Sequence, residues 1–176
     1  MALLGEHSVT ARPDRRVVEV YDADAYLGDE AAMEAAEVQV VAGNGYHLYL
    51  LSLQSDIDVR VAIRIWDTVP KPPADAEGHT PLSIESATGV LVVSQLTMGP
   101  AGEVTLPRPG VYEGYAWWSG REAASAYYDA TLDSIADDWT PEQIRAAWDQ
   151  CPADERYVLD LAFVREPAAE DEEDDD

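Results

Sequence analysis

Between residues 59 and 67 the chain reads Val-Arg-Val-Ala-Ile-Arg-Ile-Trp-Asp. Val59, Val61, Ile63 and Ile65 fall on one side of a period-two pattern; Arg60, Ala62, Arg64 and Trp66 fall on the other. Such alternation predicts a β-strand with one face turned to a core. Arg15 to Tyr21 predicts another strand, after a polar lead-in of fourteen residues. Ala31 to Glu37 suits a short helix, and Val38 to Val41 returns to strand character. Gly43-Asn44-Gly45 separates two apolar runs and predicts a hairpin turn, because Asn and Gly tolerate positive φ. The returning run, Tyr46 to Leu53, has few polar positions, so both its faces are expected to be covered.

Val69 to His79 is a Pro-rich loop, since clustered prolines cannot sit in a central strand. Pro81 to Glu85, Gly89 to Leu96, Gly102 to Leu106 and Val111 to Trp118 predict four further strands. Helical spacing appears only afterwards, at Tyr128, Leu132, Ile135 and Trp139. Thr140-Pro141-Glu142-Gln143 combines an N-cap Thr, a Pro at the first helical position and a Gln completing a capping box. Ile144, Ala147, Trp148 and Cys151 continue a short apolar stripe that Pro152 ends. Glu155 to Val164 predicts the final strand, with Tyr157, Leu159, Leu161 and Phe163 on one side. The expected fold is mostly β: an antiparallel β-sandwich of about seven to nine strands, with one or two helices inserted before the last. It forms one domain over residues 1–165, with the insertion at about 121–151 and a disordered acidic tail at 166–176.

Composition narrows what such a domain does. The 176 residues carry 35 acids and 11 bases, a net charge of −24. Eight of the acids lie in the last eleven residues, so the remaining body still holds 27 acids against 11 bases. A surface this negative repels nucleic acid and anionic lipid and attracts basic proteins. The lone cysteine, Cys151, allows no internal disulfide, which suits a reducing compartment. No signal peptide or bilayer-spanning run is readable, so a cytoplasmic protein is expected.

The second half carries Pro81-Leu-Ser-Ile-Glu-Ser-Ala-Thr-Gly-Val-Leu-Val-Val93, Pro107-Arg-Pro-Gly-Val-Tyr112, Ser119-Gly-Arg-Glu122 and Glu155-Arg-Tyr-Val-Leu-Asp-Leu161. Over roughly residues 80–165 this resembles a family of small actinobacterial proteins. The resemblance implies a β-sandwich and carries no agreed activity. Two departures stand out: the aromatic strand reads Glu113-Gly-Tyr-Ala-Trp-Trp118 where the family is rich in Arg, and a helical insertion precedes the last strand.

Catalytic and metal constellations are weak. Asp22, Asp24, Asp29 and Glu30 resemble the start of a calcium loop, but the Gly and the closing Glu are each one place late. A solvated acidic loop is the better reading, and neither metal nor cofactor is expected. His7, His47 and His79 lack zinc spacing. Cys151 follows a helix C-terminus, where the dipole disfavours thiolate. Glu113 is an acid on an aromatic strand without a visible catalytic partner. The chain is therefore expected not to be an enzyme.

The aromatic residues carry more information. Five Trp and nine Tyr stand against one Phe. Alternation places Glu113, Tyr115 and Trp117 on one face of a strand and Tyr112 and Trp118 on the other. One set faces the core; an exposed set would anchor a protein interface, because Tyr and Trp bury much area at low entropic cost. Tyr127 and Tyr128 add to this candidate partner-binding set from the insertion. The expected function is a non-enzymatic acidic binding domain, most readily an immunity or inhibitor protein for a basic toxin or nuclease. The alternatives are an assembly component of a larger complex and a ligand-binding β-sandwich.

Overall fold

The computed structural model describes residues 1–168. The expected acidic tail at 166–176 lies mostly outside the described residues. The elements run β1 (Leu3–Ala11), β2 (Val17–Asp22), α1 (Glu30–Gln39), β3 (Val41–Gly43), β4 (His47–Leu51), β5 (Val59–Trp66), β6 (Gly78–Ser86), β7 (Val90–Ser94), β8 (Pro100–Thr105), β9 (Gly110–Ser119), α2 (Arg121–Ser134), α3 (Pro141–Asp149) and β10 (Arg156–Arg165). Among the described residues ten strands form two five-stranded sheets, in the orders β1-β5-β10-β9-β6 and β3-β4-β2-β7-β8. This is the expected sandwich with helices inserted before the last strand. Pairing is antiparallel throughout except for β5 and β10, which run parallel at the middle of the first sheet.

The core lies where the two sheets meet. Val59, Val61, Ile63 and Ile65 of β5 and Tyr157, Leu159 and Leu161 of β10 face inward, against Val18, Val20, Leu48, Leu50, Leu91 and Val93 of the second sheet. Side chains at alternate positions of both sheets thus remove a continuous apolar layer from water. Every residue of β4 is buried, as its unbroken apolar run predicts, because α1 covers its far side.

Three sequence expectations change. The polar lead-in is a nine-residue strand, β1, paired antiparallel with β5. Only Ala11 in it is buried, so it shows no hydrophobic alternation to read. Val38 lies exposed on α1, and Val40 ends that helix at φ 69°, leaving β3 only three residues. In the next turn only Gly45 takes positive φ, at 93°; Asn44 instead accepts hydrogen bonds from the Tyr46 and His47 amides through Oδ1.

The capping box at α3 forms as expected: Thr140 Oγ1 accepts from the Gln143 amide, and the Gln143 side chain accepts from the Thr140 amide. In α2 the buried positions are Ala124 and Thr131, with Tyr128 half-buried between them, while Leu132 stays exposed. Tyr128 stacks on Trp148 with ring centroids 4.9 Å apart, joining the two inserted helices. Gly120 turns the chain from β9 into α2 at φ 73°, where a Cβ would collide with the Asp154 carbonyl. A side chain there is excluded both by conformation and by space.

Candidate protein-interaction site

The two outer faces of the sandwich differ. On the second sheet, Ala32 and Ala36 of α1 press against Val17, Ala42, Tyr49 and Leu51. Asp29 caps this helix, accepting from the Ala31 and Ala32 amides. Asp22 points elsewhere: Ser86 Oγ donates to it at 2.5 Å, Thr88 Oγ1 at 2.7 Å and the Thr88 and Asp24 amides at 3.0 Å. Burial alone would raise its pKa, but these bonds outweigh that and hold it below the ordinary carboxylate value. The four acids of the calcium-like stretch are thus not gathered into one site. Among the described residues no cluster of three His, Cys, Asp or Glu is placed to hold a metal.

His47 lies on the same face, fully buried. Its Nε2 is 3.0 Å from Glu19 Oε1, its ring stacks on Tyr21, and its Nδ1 has no hydrogen-bond partner among the described residues.

The outer face of the first sheet is closed by its own side chains. Asp160 sits at its centre on β10, buried, with β5 on one side and β9 on the other. Arg64 donates through Nε to Oδ1 at 2.7 Å and through Nη2 to Oδ2 at 2.9 Å. Trp66 Nε1 donates to Oδ1 at 2.9 Å and Trp117 Nε1 to Oδ2 at 2.8 Å. The Asp160 carboxylate holds the Arg64 guanidinium above its ordinary pKa, against a smaller opposing effect of burial. Arg64 also lies over the Trp66 and Trp117 rings, and Arg156 over Trp117 at 5.1 Å. Planar cations and indoles thereby cover the sheet while keeping polar edges toward water. Sequence reasoning did not single out Asp160, Arg64 or Trp66. The available signal was an acid in the middle of an otherwise apolar strand, which burial obliges to find a partner.

The seven expected contact residues separate into four groups. Tyr112 and Trp118 belong to the core, which corrects their assignment to a partner surface. Tyr112 is anchored there, donating from its hydroxyl to the Arg108 carbonyl at 2.6 Å. Trp117 is on the outer face but is buried beneath Arg64 and Arg156. Tyr127 donates to the Ala147 carbonyl and Tyr128 to Asp56, so both are occupied in tying down the insertion. Burial, followed by the Asp56 interaction, pushes the Tyr128 phenol up to about 12. Glu113 and Tyr115 remain at the surface, Tyr115 being 36% exposed. They line an open groove of about 670 Å³ with Val69, Pro81, Leu82 and Val164.

Another buried acid, Glu155, sits where the chain leaves the insertion and enters β10. Glu155 accepts from the Tyr157 hydroxyl at 2.6 Å and from Gln54 Nε2 at 3.2 Å. Burial raises its pKa, against the opposing pull of these bonds and of Arg121. From Arg121 to Glu155 the chain has nine acids and two bases, so this end of the body is strongly negative.

No family model and no curated protein matches the chain. Among solved structures, ComJ from Bacillus subtilis, an inhibitor of the DNA degrading activity of NucA, is similar in fold. It has a TM-score of 0.56 and 9% identity, over 93% of this chain and 98% of ComJ. The crocagin biosynthetic gene J product gives 0.49 and 16%, over 94% of this chain and all of its own. The expected tie to an actinobacterial family is therefore corrected. The shared architecture is that of a Bacillus protein.

Proposed function

We propose that this protein is a non-catalytic inhibitor or immunity protein that binds and neutralises a basic partner of the nuclease class in the cytoplasm. The observation that carries this reading is a strongly acidic body built on the architecture that ComJ, an inhibitor of a DNA-degrading enzyme, also uses. A nuclease presents a cationic surface to the DNA backbone, and an acidic protein competes for that surface. Charge governs encounter, and an exposed aromatic and apolar groove then slows dissociation. Glu113 and Tyr115 supply that groove on the outer face of the first sheet. The acidic helical pair supplies much of the steering field, and the domain extends over residues 1–165.

The test is degradation of plasmid DNA by purified NucA, and by any basic nuclease encoded beside this gene, with the protein added at equimolar amount. The expected result is loss of degradation, relieved as salt rises. Undiminished degradation by every such nuclease at low salt would overturn the proposal.

A further inference from the structure

Four strands form the edges of the two sheets, and they differ in how well they are protected. Exposed strand edges carry unpaired amides and carbonyls that accept a further strand, so proteins blunt them with short length, Pro, charge or bulges. β3 is only three residues long. β6 carries Pro81 within the strand. β8 begins at Pro100, contains Gly102 and is paired with a register shift at Val93 and Ser94. β1 has nine residues, no Pro and Glu6 as its one acid; the shift in its pairing lies at the extreme end, between Leu3 and Gly5.

β1 also overhangs the sandwich. Among the described residues it pairs with β5 alone. His7 stands opposite the core residue Ile63 and yet is exposed. Leu3 and Leu4 are 45% and 60% exposed. Only Val9, packed toward Gly102 on β8, and Ala11 reach apolar surroundings. Here an uncapped hydrogen-bonding edge and exposed aliphatic side chains occur on one element.

We infer that β1 is a β-augmentation edge that takes an extended strand from a basic protein partner. Two occupants fit the backbone, a second copy of this chain or a strand of another protein, and charge separates them. A copy brings another −24 to the interface, whereas a basic segment is attracted. Main-chain bonds along β1 supply affinity; alternate side chains of the added strand meet His7 on one face and Leu3, Glu6 and Ser8 on the other. The inference rests on the inhibitor reading for the identity of the partner, and on the geometry of β1 for the place where it binds.

The experiment is amide hydrogen exchange on the full chain with a short synthetic peptide of alternating valine and lysine. The control peptide carries a central proline. Alternate amides of β1 are expected to slow about tenfold with the first peptide and to stay unchanged with the second. Ser8→Lys places a like charge beside the lysines and is expected to weaken binding about fivefold while leaving the melting temperature in place. Light scattering at low and high salt is expected to show a monomer. Unchanged β1 exchange, protection confined to other strands, or a dimer formed through β1 would each overturn the inference. If the peptide protects β1 but no nuclease is inhibited, the edge stands and the inhibitor reading falls. If a nuclease is inhibited while β1 in the complex exchanges freely, the edge falls and the inhibitor reading stands.

Discussion

The outer faces of the two sheets solve one problem in opposite ways. The second sheet is covered by a helix, with Ala32 and Ala36 letting α1 sit close on Tyr49 and Leu51. Among the described residues the first sheet has no such cover, and it uses Asp160 to gather Arg64, Trp66 and Trp117 into a polar-edged lid of its own side chains. A helix-covered face is spent on the fold. A face closed by planar, amphipathic side chains still offers hydrogen-bonding edges and, beside Tyr115, an apolar groove. The difference is why the proposed contact site is placed on the first sheet.

The largest effect is expected at the centre of that self-closed face. Asp160→Ala leaves a half-buried guanidinium and two indole N–H groups without their acceptor. Breaking a buried ion pair in this way costs roughly 3–5 kcal/mol, and urea denaturation will read it. A loss below about 1 kcal/mol, the scale of an exposed ion pair, would mean that the lid does not hold the face. On the helix-covered side, Ala36→Leu forces α1 away from the sheet and is expected to cost about 1–3 kcal/mol by the same measurement.

Two buried carboxylates, one associated with each sheet, make the comparison a matter of pH. The folded state holds Asp22 below its unfolded value. Its contribution is present above the ordinary Asp range and is lost as pH falls through the depressed folded value. Glu155 is raised on folding, so the native state takes up its proton more readily than the unfolded chain does. Its contribution therefore improves as pH falls from above the raised value toward the ordinary Glu range. Melting temperatures across pH should show Asp22→Asn removing part of the acid-side loss, and Glu155→Gln flattening the slope at higher pH. The same sign of change in both variants would contradict the two environments.

The smallest effect on stability is expected at the exposed groove. Tyr115→Ala should alter unfolding by no more than about 0.5 kcal/mol, as surface substitutions do. It should nevertheless weaken nuclease inhibition, which a titration of DNA degradation would measure. Unchanged inhibition would move the contact site off this groove.

The strands buried on one face were legible because burial writes a period of two into the sequence: β5 and β10 read directly from Val59–Ile65 and Tyr157–Phe163. The cap of α3 was legible because Thr140-Pro141 and Gln143 satisfy backbone groups within one turn. β1 was not, because an edge strand that buries little has no hydrophobic pattern to show. The two faces of β9 were separated correctly into Tyr112 with Trp118 and Glu113 with Tyr115 and Trp117. Which pair of faces turns inward was undetermined, since Tyr and Trp serve cores and surfaces alike.

Local chemistry along the chain thus determined the acidity of the body, the mostly-β character, the late helices and the alternation of each buried strand. These depend on neighbours a few residues apart. The tertiary structure decided which aromatic face became core, which strands were left as edges, and that Asp160 would meet Arg64 from ninety-six positions away. Those outcomes depend on which strands pair and in what register. The parallel alignment of β5 with β10 places a carboxylate and a guanidinium side by side across a distance in the chain that no local pattern spans.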